Sequence, residues 1–333
     1  MAQAPSEFDL IAQLWAPLAR GAVGAFDLKD DVAQLPVSPH GLVVTCDQVI
    51  EGTHFLSSDS LDWVAKRLVR RNLSDLIAKG CKPIGAFLAL AWPQGRPQAQ
   101  VADFARGLGD DLAALCDNCP LLGGDTSSTE GPLVASLTLI GTPLALNARP
   151  VLRMGAQPGD GVFLTGALGD AYLGLQVRLG HMEASQLTQA VQLALAPKPP
   201  PLATANLVAT YAKASIDVSD GLLADAGHVA LASHVSLALE LDHLPLSDEA
   251  TAWLARSNDP VESLLALATG GDDYQTLFCA APEHASALTA HFQAIGVQLT
   301  QIGRCCEGQG VALTYREQSI VLPNRRGWQF SDA

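Results

Sequence analysis

Strand-length apolar runs alternate with helix-length amphipathic stretches along the whole chain, which restricts it to a mixed α/β architecture. HGLVVTCDQVI, IGAFLALAW and LVASLTLIGTP read as strands, and Ser60 to Lys79 and Pro97 to Asp117 as helices. Ser6 stands as an N-cap before Phe8, Ile11, Trp15 and Leu18, and Gly80 is placed to end the second helix. The weak alternation of LVASLTLIGTP predicts a strand covered on both faces. Between Asn147 and Asp160 the periodicity lapses and Pro150 and Pro158 enter, which sets a boundary between domains 1–148 and 149–333. Beyond it, GVFLTG, SIDVS, VSLALEL, GGDDYQTLFCA, VQLTQIG and GVALTYREQSIVL read as strands. Asp170 to Gly180 and GLLADAGHVALAS read as helices, and the run PKPPP separates two further helical stretches.

Composition narrows the function classes. The 333 residues are 48% hydrophobic and only 16% charged, enough apolar material for two cores and too much for extensive disorder. A net charge of −14 argues against nucleic acid and against anionic lipid as partners. The longest mostly apolar stretch, from Leu133, is about 14 residues, short of the roughly 20 that a spanning helix needs. With Glu7 and Asp9 in the N-terminal segment no secretory signal is expected. Seven cysteines without a disulfide framework fit the cytoplasm.

The acidic residues are concentrated where strands give way to loops. Asp47 follows LVVTC, Asp125 follows CPLLGG, Asp217 and Asp220 lie in SIDVSDGL, and Asp272 and Asp273 precede a strand. Asp27, Asp30 and Asp31 cluster in FDLKDD, and Asp75 lies in RNLSDL. Carboxylates beyond strand ends face the crevices where α/β proteins hold ligands. Two of them ~4 Å apart repel by roughly 4 kcal/mol at an effective dielectric of 20. Mg²⁺ relieves such repulsion, and it prefers a few carboxylates together with phosphate oxygens. Glycines accompany the acids, as in Gly123-Gly124-Asp125 and Gly270-Gly271-Asp272, and would let the backbone approach a phosphate. No P-loop and no protein-kinase signature occurs. Cys116 and Cys119 lack a second pair at zinc-ribbon spacing and read as ordinary thiols. His228 and His234 read as core or surface residues.

In order, TCDQVIEGTHF, NLSDLIAKG, LLGGDT, RPVLRMGAQPGD, SIDVSDGL and GGDDY resemble the thiamine-monophosphate kinases, within the superfamily of aminoimidazole ribonucleotide synthetase and selenophosphate synthetase. The resemblance runs from SEFDLIAQL to GWQF. It implies an N-terminal ATP- and metal-binding domain whose sheet pairs across a homodimer into a β-barrel, and a C-terminal α/β domain. The implied reaction is direct in-line transfer from ATP to thiamine monophosphate, without a general base. Metal contacts with several Mg²⁺ ions would fall on Asp30, Thr45, Cys46, Asp47, Asp75, Asp125, Asp217 and Asp220. Gly124, Asp125, Arg153 and Ser219 would face ATP, and His54, Asp272 and Trp328 the thiamine phosphate.

Three positions depart from the family pattern. Asp27-Leu28-Lys29-Asp30-Asp31 stands where the family has Gly-x-Gly-Asp-Asp, Cys46 where threonine is usual, and Asp272 where glutamate is common. A thiol is a poor Mg²⁺ ligand, so contact at Cys46 would use the backbone carbonyl. The alternatives are a non-catalytic metal- or nucleotide-binding relative and another ATP-using enzyme of the superfamily. The first cysteine is Cys46 and the chain ends FSDA, which disfavours the selenophosphate and hydrogenase-maturation members.

Overall fold

The computed structural model describes residues 11–28, 33–35, 39, 41–97 and 99–328. It is mixed α/β with two sheets, and the chain divides into two compact units. The first comprises residues 1–76 and 82–149, and the second residues 77–81 and 150–333. No helix among the described residues is long and apolar enough to cross a membrane.

The first unit holds a four-stranded sheet in the order β1-β4-β2-β3. Its strands are β1 (Val43–Ile50), β2 (Cys81–Pro93), β3 (Leu121–Thr129) and β4 (Val134–Pro143). β1 runs antiparallel to β4, with Thr45 opposite Leu139 and Asp47 opposite Leu137. β2 and β3 are parallel, with Ala89 beside Asp125. Helices Leu61–Ala78 and Ala99–Ala114 bury Leu68, Leu73 and Leu76, and Phe104, Leu108 and Leu112. Gly80, at φ +64°, follows the first of them, a left-handed position that ends a helix.

Several sequence expectations change here. β4 alternates, with Ala135, Leu137 and Leu139 buried and Val134, Ser136 and Thr138 half-buried, so within this chain only one face is fully covered. On β1 the residues of the opposite face, Val44, Cys46 and Gln48, are exposed, and the described residues of this single chain leave the four-stranded sheet open. The N-terminal helix is irregular: Ile11–Trp15 is π-helical and Ala16–Ala19 a 3-10 turn with Pro17 inside it. Ser6 and Phe8 lie outside the described residues.

The second unit is built on a seven-stranded sheet in the order β11-β10-β7-β9-β5-β8-β6. Its strands are β5 (Gly161–Thr165), β6 (Ala212–Val218), β7 (Ser236–Glu240), β8 (Gln275–Ala280), β9 (Leu299–Cys306), β10 (Gly310–Tyr315) and β11 (Gln318–Ile320). Both faces are covered. Val162 and Leu164 of β5 join the core beneath helix Leu222–Ser233, while Phe163 stacks on Phe278 in a second cluster. That is why β5 and β8 are buried at every residue instead of alternating.

Candidate active site

Asp47 and Asp125 sit within strands, not past their ends. Asp47 is central in β1 because pairing with β4 continues to Ile50, and Asp125 is central in β3. Side chains alternate along a strand, so Thr45 and Asp47 share the helix-facing side while Cys46 points to the other. Thr45 Oγ1 donates to Asp75 Oδ2 on helix Leu61–Ala78. The Asp47 N–H donates to Asn72 Oδ1 at 3.0 Å, and Asn72 is fixed in turn by donating to Leu68 O at 2.9 Å. Arg71 Nη2 lies 3.7 Å from Asp47 Oδ1. Positions 68, 72 and 75 follow helical spacing, so one helix face presents these partners to β1.

The remaining candidates of this unit are spread around it. Cys46 Sγ lies 3.4 Å from Ser136 Oγ on the exposed side, away from the Thr45–Asp47 face. His54 follows β1 in a turn where its Nδ1 accepts the Ile50 N–H at 3.1 Å, which leaves the neutral ring's proton on Nε2. Gly124 and Asp125 are exposed. A Cβ on Gly124 would stand 2.0 Å from Leu88 O of β2, so this glycine is required by strand pairing. Leu28, inside the stretch where the family carries glycines, adopts φ +55°, and Phe26 φ +49°. Each left-handed non-glycine residue costs roughly 1–2 kcal/mol. Asp30 lies outside the described residues.

Among the described residues no three carboxylate, imidazole or thiol groups are gathered as a ready-made cation site. The donors around β1 are hard oxygens, the carboxylates of Asp47 and Asp75 and the hydroxyl of Thr45. Such a set fits Mg²⁺, which keeps several waters and takes one or two carboxylates together with phosphate oxygens.

In the second unit, Asp217 is buried on β6, opposite Thr276 of β8, while Ser219 and Asp220 form the turn after the strand. The turn is organised by Asp225, which the sequence reading passed over. Asp225 Oδ2 accepts the N–H groups of Ser219, Asp220 and Gly221 at 3.0, 3.2 and 3.2 Å. Asp272, at φ +65°, donates its N–H to Ser219 O at 2.7 Å, and the Trp328 N–H donates to Asp220 O at 2.9 Å. The Asp220 turn, the Asp272 turn and Trp328 therefore lie together. Trp328 is 44% exposed. Arg153 is exposed, and its carbonyl accepts from Ser233 Oγ at 3.1 Å.

Burial, and then the charge of Asp220, push Asp225 up to about 7 against the pull of its three N–H donors. The unfolded chain titrates this group near ~3.9, so the native state holds the extra proton between these values. Its contribution to stability is full below about 4 and is lost as pH rises through about 7. Asp225→Asn should flatten that fall in denaturant unfolding followed from pH 4 to 7. A variant with the wild-type slope would assign the pH dependence to other groups.

Residues 29–142 match the N-terminal domain model of the AIR synthase related proteins, and residues 157–316 match its C-terminal domain model. A thiamine-monophosphate kinase of Caulobacter vibrioides is 44% identical over 326 residues, covering 97% of this chain and 90% of that protein. The crystal structure of thiamine-monophosphate kinase from Stenotrophomonas maltophilia superposes with a TM-score of 0.77 at 31% identity, covering 88% of this chain and 91% of that one. A structure of AaThiL complexed with AMPPCP and TMP gives a TM-score of 0.75 at 30% identity, covering 99% and 100%. The chain belongs to the thiamine-monophosphate kinase family of the AIR synthase related proteins.

Proposed function

We propose that this protein transfers the γ-phosphoryl group of ATP to the phosphate of thiamine monophosphate, giving thiamine diphosphate and ADP. Near-complete coverage of a curated kinase at 44% identity carries the reading. The likeness to the complex with AMPPCP and TMP supports both substrates.

The chemistry asks little of the protein beyond placement and charge. The acceptor is a phosphate monoester whose second pKa is near ~6, so its oxygen is already deprotonated at neutral pH. No general base is needed, and phosphoryl transfer rests on alignment and electrostatic stabilisation. Asp30, Thr45, Asp47, Asp75 and Asp125 of the first unit, with the Cys46 carbonyl, and Asp217 and Asp220 of the second would hold Mg²⁺. Mg²⁺ bound there would offset the phosphate charge. Gly124, Asp125, Arg153 and Ser219 would contact ATP, with Arg153 as a fixed positive charge. His54 and Asp272 would orient the thiamine phosphate, and Trp328 would lie against its cationic thiazolium ring.

Trp328→Ala is expected to raise KM for thiamine monophosphate several-fold with little change in kcat, because an exposed cation–π contact contributes about 0.5–1 kcal/mol. An unchanged KM in steady-state assays would remove the indole from the substrate site. The uncharged, exposed Val44, Cys46 and Gln48 on β1 support a homodimer that pairs these sheets into a barrel, to be checked by light scattering. The free cysteines accord with a cytoplasmic enzyme.

The competing reading, a non-catalytic relative, draws on Leu28-Lys29 in place of the family's glycine-bearing loop. Purified protein incubated with ATP, Mg²⁺ and thiamine monophosphate should form thiamine diphosphate and ADP in equal amounts by chromatography. Nucleotide binding without product across a range of Mg²⁺ concentrations would favour the non-catalytic relative.

A further inference from the structure

Where β1 ends, the chain turns back on itself. The Thr53 and His54 N–H groups both donate to Ile50 O, at 3.1 and 2.8 Å, and the Gly52 N–H donates to Phe55 O at 2.9 Å. The imidazole closes the turn, since its Nδ1 accepts the Ile50 N–H at 3.1 Å. Phe55 is buried at the far side. The place of the His54 ring therefore follows that of Ile50 and of its neighbour Glu51.

Glu51 is tied through both its backbone and its side chain. Its N–H donates to Leu133 O at 3.0 Å, and its Oε2 accepts the Leu133 N–H at 3.2 Å, just before β4. Arg96, in the turn after β2, donates to the same carboxylate through both arms of its fork. Nη1 reaches Oε2 at 3.0 Å and Nη2 reaches Oε1 at 3.2 Å. A two-point contact of this kind fixes orientation as well as distance. Arg96 is itself set in place by Trp92. The Trp92 Nε1–H donates to Arg96 O at 3.3 Å, and the guanidinium lies over the indole, 5.9 Å from its centroid.

The Arg96 and Glu51 side chains are only 15% and 14% exposed, so salt screens the pair weakly. Burial works against ionisation of Glu51, but the Leu133 N–H, the Ser57 side chain and Arg96 outweigh it and hold the carboxyl below its usual range. Desolvation cancels much of the attraction within such a pair, so it is a poor source of stability. Pairing with β4 already holds β1 as far as Ile50. What the ion pair adds is placement of the turn beyond it.

We propose that Glu51 and Arg96 are positioning residues for His54, holding the turn from Ile50 to Phe55 so that the imidazole donates to the acceptor phosphate through Nε2–H. The proposal rests on the kinase reading above, in which His54 orients that phosphate.

Glu51→Gln keeps an acceptor for the Leu133 N–H and removes the charge that Arg96 grips. It should raise KM for thiamine monophosphate about threefold to tenfold and leave KM for ATP in place. Arg96→Met should do the same, and the double variant should match either single one, because all three remove one contact. His54→Ala should raise the same KM at least about tenfold, the scale of a hydrogen bond to a charged group. On that background Glu51→Gln should add nothing. A residue that merely stabilised the fold would lower the melting temperature and affect KM equally with or without His54. An unchanged KM in Glu51→Gln, or the same rise in the His54→Ala background, would overturn the proposal. If the protein forms no thiamine diphosphate at all, the kinase reading fails separately. The positioning is then read by nitrogen NMR of isotopically labelled histidine, with the His54 signals identified by their loss in His54→Ala. The native ring should show a single tautomer protonated on Nε2, and Glu51→Gln should average the two ring nitrogens. Identical His54 signals in the two proteins would refute it.

Discussion

Replacing Asp47 or Asp125 by asparagine is expected to lower kcat by about 10²–10³, the scale on which one preorganised charge contributes to a transition state. Each change preserves shape and removes one full negative charge. The Asp47 backbone bond to Asn72 does not depend on its side chain, and Asp125 is exposed, so neither carboxylate is needed to hold its strand. Arg71 loses its neighbour at 3.7 Å in the Asp47 variant, but a partly solvated pair of this kind contributes little. Melting temperatures should therefore stay within a few degrees of the parent while turnover collapses. Near-normal turnover in either variant would remove that residue from the metal set.

Gly124→Ala should destabilise the first unit by more than about 3 kcal/mol, while Gly123→Ala should cost under about 1 kcal/mol. The two glycines are adjacent in one motif, and only their surroundings differ. A methyl on Gly124 would sit 2.0 Å from Leu88 O, a backbone atom that cannot move without breaking the β2–β3 pairing. A methyl on Gly123 would meet the Phe87 ring at 3.2 Å, and a ring can turn aside. At about 2–4 °C per kcal/mol for a unit of this size, differential scanning calorimetry should separate the variants by at least about 4 °C. Equal melting temperatures would mean that Gly124 serves the ligand and not the sheet.

These glycines also show where sequence was a poor guide. Leu121–Thr129 carries two apolar residues followed by GGDTSST, so it has no strand periodicity to read. It becomes β3 because β2 offers it a parallel partner, a long-range interaction that local pattern does not encode. For the same reason Asp47 read as lying where a strand gives way to a loop, although β4 pairs with β1 as far as Ile50. The strands and helices of the second unit were legible because their apolar runs are continuous, as buried strands require, and because glycine and proline punctuate them. The order of its seven strands was not legible, since it depends on crossovers between distant segments.

Within the candidate site, the motifs do not give the role of every side chain. Asp272 and Asp273 are adjacent in sequence, yet one is half-buried at the turn and the other fully enclosed behind it. Asp225 looked like an ordinary helix residue, but its carboxylate gathers three backbone N–H groups of the SDG turn. Spacing alone does not distinguish a carboxylate that shapes a turn from one that faces ligand. The hydrogen-bond partners make that distinction.

Direct phosphoryl transfer is tested most simply with ATP labelled at the γ-phosphate. The label should appear in the terminal phosphate of thiamine diphosphate, one equivalent for each ADP formed, with none retained on the protein after rapid quenching. Label that reaches inorganic phosphate or the polypeptide, with no labelled thiamine diphosphate, would contradict the account.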